Sequence, residues 1–325
     1  MKRLALLLVF FLIAASARGV VPGWIKPGLV VVYAVSGGSA VGNPDFYHSS
    51  GSAATGYQIF VVHDVEGGKV YGSTMILLGS MSGGPNVLYR NEAGEIGVLT
   101  GNTFFVDPNQ VKMWLKGRPP EGCRVMGNPG NIAVECRGAG SVERLSITYN
   151  TRTGLITQMA SGATQQAGHW ASTQSIARFV RMFTTNLPRV PFPPVAASSH
   201  TYRVISTTPM GSMVTGQMSA TYTGRRGPLA VYRIVGTGFY KQAYGTRYMG
   251  PFYVHPALLR MGTILSIPDA SFQVTASAAP QGVVVSSVWR GQVILQDVYH
   301  PATGLLLMER QPVPGVGYQT VQLVR

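Results

Sequence analysis

Tyr149-Asn150-Thr151-Arg152-Thr153-Gly154-Leu155 and Tyr299-His300-Pro301-Ala302-Thr303-Gly304-Leu305 are two versions of one heptapeptide, Tyr-x-x-x-Thr-Gly-Leu, in a chain of 325 residues. Each stands between two runs that alternate apolar and polar residues, the period of a half-buried strand. Each therefore reads as the turn of a β-hairpin, with Gly supplying the positive φ that such a turn needs.

Outward from this pair the two halves share further landmarks in the same order. Tyr33 and Tyr202 stand in opening strands. Val70-Tyr71 matches Val231-Tyr232, and Leu88-Tyr89-Arg90 matches Phe239-Tyr240-Lys241. Phe104-Phe105-Val106-Asp107-Pro108 through Met113 matches Phe252-Tyr253-Val254-His255-Pro256 through Met261. Gln174-Ser175-Ile176 to Val180-Arg181 matches Gln319-Thr320-Val321 to Val324-Arg325. The ordered set predicts an all-β chain of two tandem, similar antiparallel β-sheet domains, each a curved sheet, half-barrel or sandwich, derived from an internal duplication. The period is too long for a solenoid or a propeller blade, so each copy is a domain. The expected boundaries are 20–185 and 199–325. Between them 186–198 is rich in Pro and reads as a stiff, extended linker. Pattern alone leaves Asn109–Lys116 and Ala257–Ile264 open between helix and strand.

Three of these features resemble a loosely defined group of exported β-sheet domains from archaea, of unknown function. They are the opening strand after Pro-Gly, the aromatic-x-x-Pro-x-Leu-x-x-x-Gly segment (Tyr253 to Gly262) and the Tyr-x-x-x-Thr-Gly-Leu hairpin. The first copy departs from the second motif, with Trp114 in the place of Gly262. The chain is also similar, more weakly, to the curved sheets of periplasmic lipoprotein carriers. The resemblance implies fold and an extracytoplasmic location, and no chemistry.

The N-terminus supports the same location. Lys2 and Arg3 precede an apolar run, Leu4 to Ala14, and Ala15-Ser16-Ala17 fits a cleavage site, so 1–19 reads as a secretory signal peptide. No later apolar run reaches the roughly 20 residues of a membrane-spanning helix. Cys123 and Cys136 are the only cysteines. Gly127-Asn128-Pro129-Gly130 lies midway between them, flanked by alternation, which predicts a hairpin with a disulfide across it. CxxC spacing and His neighbours are absent, which removes the redox and metal readings.

The formal net charge is +14 with only 12% charged residues. Nucleic-acid binders cluster Lys and Arg on one face or helix; here they are spread singly, so no nucleic-acid partner is expected. The excess is concentrated in the second half, with ten Lys/Arg against three acids from Ser199 onward. That half also carries Tyr240, Tyr244, Tyr248 and Phe252 at four-residue spacing, which on one strand or helix would share a face. Arg225, Arg226, Lys241 and Arg247 are expected to join Tyr240, Tyr244 and Tyr248 in a basic, aromatic binding face. Its partner would be an anionic envelope polymer, lipid head groups or a surface protein.

No catalytic constellation stands out. The Gly-rich stretches lack the Lys-Ser/Thr that closes a phosphate loop, and there is no Gly-x-Ser-x-Gly elbow. His63-Asp64 reads as a polar pair at a hairpin end. Asp269, Asp297 and Glu309 are far apart in sequence. No cofactor or metal is expected. The sequence thus points to an exported, non-catalytic envelope or surface protein with a binding or structural role. The alternatives are a carrier of an apolar or lipid ligand within a curved sheet, and a secreted hydrolase without a recognisable motif.

Overall fold

The computed structural model describes residues 21–43, 46–80, 87–96, 104–137, 144–167, 169–313 and 317–324. The expected signal peptide lies outside these residues. The chain is nearly all β, built from large antiparallel sheets that are not closed into a barrel. It divides into two compact units, each described by itself below. The first comprises residues 1–70, 76–84 and 95–183. The second comprises 71–75, 85–94 and 184–325.

In the first unit, β1 (Leu29–Asn43) and β2 (Phe46–Glu66) form one long hairpin, paired from Val30↔Val61 to Asn43↔Phe46. The Gly/Ser-rich stretch from Ser36 to Gly56, which composition assigns to a loop, is thus mostly ladder. Backbone pairing does not require bulky side chains, and Gly tolerates close approach: a Cβ at Gly56 would fall 1.7 Å from the Leu77 carbonyl oxygen. That carbonyl belongs to β3 (Lys69–Ser80). Strand β4 (Val87–Ile96) runs straight through Ala93-Gly94. A second run of ladders follows: β5 (Cys123–Gly127), β6 (Asn131–Arg137), β7 (Arg144–Asn150), β8 (Ile156–Ala167) and β9 (His169–Thr184), each paired with the next. Alternate residues of β6 and β7 are buried, namely Ile132, Val134 and Cys136, then Leu145, Ile147 and Tyr149. This is the period-2 pattern of a sheet with one face on a core. Tyr33, Phe60 and Phe104 join them there.

Cys123 and Cys136 are direct partners across β5 and β6 and are bonded to each other, with Cα atoms 4.1 Å apart. The bond closes a short loop and chiefly restricts the unfolded chain. Replacing both with Ser is expected to cost about 2–3 kcal/mol, read as a lower denaturant midpoint. No change in midpoint would show that the hairpin is held by packing alone.

The segment left open between helix and strand is a helix, Pro108–Leu115. Pro108 opens it, the Asp107 carboxylate accepts from the Asn109 N–H, and Val111 and Trp114 are its buried residues. Its counterpart in the second unit is a single turn, Pro256–Leu259, with Leu258 and Leu259 buried. There the N-cap is His255, whose Nδ1 accepts from the Ala257 N–H at 3.1 Å. This contact needs an unprotonated Nδ1. Burial, and secondarily Arg260, lower the pKa of His255.

Apart from one two-stranded sheet, the strands of the second unit form one continuous ladder. In chain order its strands are β10 (His200–Thr208), β11 (Gly211–Arg226), β12 (Leu229–Gly236) and β13 (Phe239–Gly245). The small pair β14 (Met249–Gly250) and β15 (Tyr253–Val254) comes next, followed by β16 (Thr263–Ile267) and β17 (Phe272–Ala279). Strands β18 (Gly282–Trp289), β19 (Gln292–Tyr299), β20 (Leu306–Val313) and β21 (Gly317–Leu323) complete it. Their spatial order is β13-β12-β11-β10-β21-β20-β19-β18-β17-β16. One bridge, Tyr244↔Ala93, adds β4 to this unit beside β13. Tyr202, Tyr232, Phe252 and Tyr253 are among the buried rings of its core.

The Pro-rich stretch is not a free spacer. Val190 and Ala196 are buried, and Leu187, Phe192 and Val195 pack on the same core. Tyr232 Oη donates to the Ala196 carbonyl at 2.6 Å, within a short 3-10 turn, Pro194–Ala197. Its apolar side chains find cover on the sheet, which composition does not reveal.

At the paired heptapeptides the two units use the same bonds. Gly154 N–H donates to Asn150 O and Gly304 N–H to His300 O, both at 2.8 Å. Ile156 N–H donates to Phe104 O at 2.9 Å, and Leu306 N–H to Phe252 O at 2.8 Å. The Tyr of each opening strand reaches the same place, Tyr33 Oη to Ile156 O at 2.7 Å and Tyr202 Oη to Leu306 O at 3.3 Å. A register shift falls just before Tyr149 and just before Tyr299.

Candidate functional site

With the two tyrosines of the heptapeptides as common reference, the core-facing positions of the units can be compared step by step. In the first unit, Ala177, Met159, Ile147, Val134 and Val125 form one cross-strand row over β9, β8, β7, β6 and β5. All five belong to its apolar core or pack on it. The row at the same steps in the second unit is Val321, Glu309, Asp297, Val285 and Ala276. Asp297 stands where the first unit has Ile147, and Glu309 where it has Met159. Directly opposed residues of an antiparallel pair have Cβ atoms about 5 Å apart. Two carboxylates are thus opposed in a row that is otherwise apolar.

Several polar groups gather round them. Tyr299 Oη donates to Asp297 Oδ2 at 3.0 Å. Asp297 Oδ1 is buried without a hydrogen-bond partner, although the residue is only 8% exposed. Ser287 Oγ donates to Tyr89 Oη at 3.5 Å, so β4 brings a phenol to the same neighbourhood. Tyr89 also packs against Phe272, with ring centroids 6.1 Å apart. Lys241, on β13, bears electrostatically on Glu309.

These surroundings set the charges. Burial first, and then the negative charge of Glu309, push the Asp297 carboxyl well above its ordinary range; the Tyr299 hydrogen bond pulls the other way. Burial also raises Glu309, against the attraction of Lys241. Burial raises Tyr299 and Tyr89 as well, so both phenols stay protonated and able to donate. Two like charges at this separation do not both ionise readily, so the pair shares a proton or recruits a cation. Lys241 supplies one positive charge against two carboxylates. The arrangement can hold a proton, or accept hydrogen bonds from a ligand bearing one positive charge.

The residues expected to form one basic aromatic face are not brought together. Arg225 lies over the Phe192 ring at 4.6 Å, and Arg247 Nη1 donates to Val190 O at 3.4 Å, so both engage the Pro-rich stretch. Arg226, next to Arg225 on β11, projects to the opposite face. Lys241 pairs with Ile234, which pairs in turn with Ala220 in the interior of β11, whereas Arg225 lies further along, near the C-terminal end of that strand, and pairs with Ala230. The aromatic run is divided as well. Strand β13 ends at Gly245, so only Tyr240 and Tyr244 share a strand face. Tyr248 and Phe252 are buried in the core, while Tyr240 is 69% exposed. His63 is also displaced from its expected role: it is buried, and burial pushes its imidazole down to about 3.

The acid pair is the feature that sequence reasoning passes over. Asp297 and Glu309 lie on opposite sides of the Thr-Gly turn, so the hairpin brings their strands together, but the register that opposes them includes an irregularity that the pattern does not reveal. Laying one heptapeptide with its flanks over the other exposes them, since two core positions change from apolar to acidic. Among the described residues no group of three or more His, Cys, Asp or Glu could hold a metal ion.

No family model matches the chain, and no curated protein matches it. Among solved structures it is similar to a protein of unknown function from the DUF3598 family of Nostoc punctiforme, at 8% identity and a TM-score of 0.17, covering 92% of this chain and 96% of that one. It is also similar to a protein with the provisional name AttH from Nitrosomonas europaea, at 9% identity and a TM-score of 0.16, covering 90% and 92%. At such scores neither likeness carries an argument about fold or ligand.

Proposed function

We propose that the mature chain is an exported, non-catalytic binding protein of the cell envelope. Its second unit holds an amphiphilic ligand whose ammonium head sits at Asp297 and Glu309, with its apolar body against the inner face. The observation behind this reading is the exchange of Ile147 and Met159 for two opposed carboxylates at the same steps of the second sheet. Burying a carboxylate costs several kcal/mol unless it is neutralised or paired. The first unit shows that these two places can be filled without that cost. An orphaned, buried Asp297 oxygen and a cluster one positive charge short of balance fit a cationic, hydrogen-bond-donating head.

The test is a fluorescence titration of the mature protein with dodecylammonium, dodecanol and dodecanoate. The ammonium is expected to bind about tenfold more tightly than the alcohol, the worth of one hydrogen bond to a charged group. The carboxylate should bind least, and D297N/E309Q should abolish the preference. Binding of none of the three overturns the carrier reading. Hydrolysis of chromogenic esters or glycosides, lost in D297N, would place the acid pair in a hydrolase instead.

A further inference from the structure

Tyr89, the phenol that β4 contributes to the second unit, has a bonding capacity that the acid pair leaves open. The residue is buried, and its ring packs on Phe272 with centroids 6.1 Å apart. Phe272 precedes by two residues Val274, the cross-strand partner of Ser287. Ser287 pairs in turn with Leu295, and Asp297, two residues on, pairs with Val285. Ser287 and Asp297 are therefore diagonal neighbours on one face, about 7–8 Å apart. The two units differ here once more. The place of Ser287 is taken in the first unit by Cys136, which pairs with Leu145 as Ser287 pairs with Leu295. Cys136 is bonded to Cys123, where the second unit has Val274. A covalent bond closes this place in the first unit, whereas in the second a hydroxyl fills it and a phenol lies against the hydroxyl.

The direction of that contact decides what the phenol can do. Ser287 Oγ donates and Tyr89 Oη accepts, at 3.5 Å. A hydrogen bond from Asn91 favours the ionised form of the phenol, so Asn91 also acts on this oxygen as a donor. Tyr89 thus keeps a proton to give. Asp297 bears electrostatically on Tyr89 and so lies near it, but Asp297 Oδ1 does not take that proton, since this oxygen has no partner. An uncommitted donor and an uncommitted acceptor therefore stand in one neighbourhood without bonding each other. A head group that displaces solvent from between them must offer a donor to Asp297 and an acceptor to Tyr89, or leave one of them unpaired. A bare ammonium offers donors only. We propose that Tyr89 is a specificity-determining residue of the ammonium site: its hydroxyl donates to a carbonyl carried beside the ammonium, so the ligand is an α-aminoacyl amphiphile and not a simple amine. The proposal rests on the ammonium reading above and narrows it to one class. A carbonyl oxygen suits the phenol because it accepts and brings no proton of its own.

The test is a titration of the mature protein with dodecylammonium and with glycine N-dodecylamide, which carries a carbonyl beside its ammonium. The wild type is expected to bind the amide about fivefold more tightly, the worth of one neutral hydrogen bond. Y89F keeps the ring on Phe272 and removes only the hydroxyl, so it should abolish this preference. S287A keeps the phenol but removes the donor that turns it, and should reduce the preference. Dodecylammonium binding with no preference for the amide overturns this inference and leaves the ammonium reading standing. Binding of neither ligand overturns both. A wild-type ratio of affinities in Y89F, even where both affinities fall, would show that Tyr89 only holds β4 in place, and would remove it from the role.

Discussion

The double variant D297I/E309M, which gives the second unit the side-chain types of the first at these two positions, melts higher than the wild type. Replacing buried charged groups by apolar residues of similar volume is often stabilising by about 1–4 kcal/mol. A gain of about 2 kcal/mol would raise the melting temperature by about 4–8 °C for a unit of this size. Ligand binding should fall by more than tenfold in the same variant, because a charge-assisted hydrogen bond is lost. The sign of the pH dependence follows from the raised carboxyls. An acid whose folded pKa lies above its unfolded value of about 4 binds more protons when folded. Its stabilising contribution is full below about pH 4 and is lost as pH rises through the folded value. Wild-type melting temperature should therefore decline as pH rises above about 4, and D297I/E309M should show a flatter profile over that range. A variant that melts lower than the wild type, with the wild-type slope, would show the acids to be structural.

A larger loss is expected from a single methyl group. Gly304 has φ +72°, and a Cβ there would lie 1.9 Å from the Val254 carbonyl oxygen and 3.2 Å from Pro256 Cδ. The obstruction is backbone, and it lies next to His255, which caps the following turn. Relief would require breaking the Val254 N–H bond to Gly304 O or the Leu306 N–H bond to Phe252 O. Gly304→Ala should cost about 4 kcal/mol, in the range of substitutions with a named backbone mechanism. Gly154 meets Val106 O in the same way and should behave alike. Gly291 is the control: its φ is +79°, but nothing lies within 4 Å of its Cβ position. Gly291→Ala should cost only the left-handed backbone strain, about 1–2 kcal/mol. Denaturant melts of the variants side by side decide the matter. Equal losses for Gly304→Ala and Gly291→Ala would mean that conformation alone, and not close approach, makes the Gly necessary.

What could be read in the sequence was what short-range pattern controls. The Thr-Gly turns, the alternating strands around them and the cross-strand disulfide follow from residues within a few positions of one another. The Asp107-Pro108 and His255-Pro256 pairs were visible as landmarks, but their meaning as N-caps depends on where the chain turns next. The acid pair depended on register, which the irregularity before Tyr299 shifts by one residue. The aromatic run failed as a guide because spacing of four suits a helix or a strand, and the chain here is a strand that stops at Gly245. Basic residues counted together by half were separated in space, since β11 carries Arg225 far from the partner of Lys241.

The assignment of residues 71–75 and 85–94 to the second unit bears on the order in which the chain can mature. A polypeptide is made from its N-terminus. Strand β4 therefore arrives well ahead of the strands beside which it settles, and Tyr89 waits for Ser287 and Phe272 to appear. During that interval the Tyr89 phenol lacks the ring and hydroxyl partners it has in the folded protein. Maturation of this chain is thus not the sequential closing of two independent halves. The surroundings of Tyr89 are complete only when the last third of the molecule has been made.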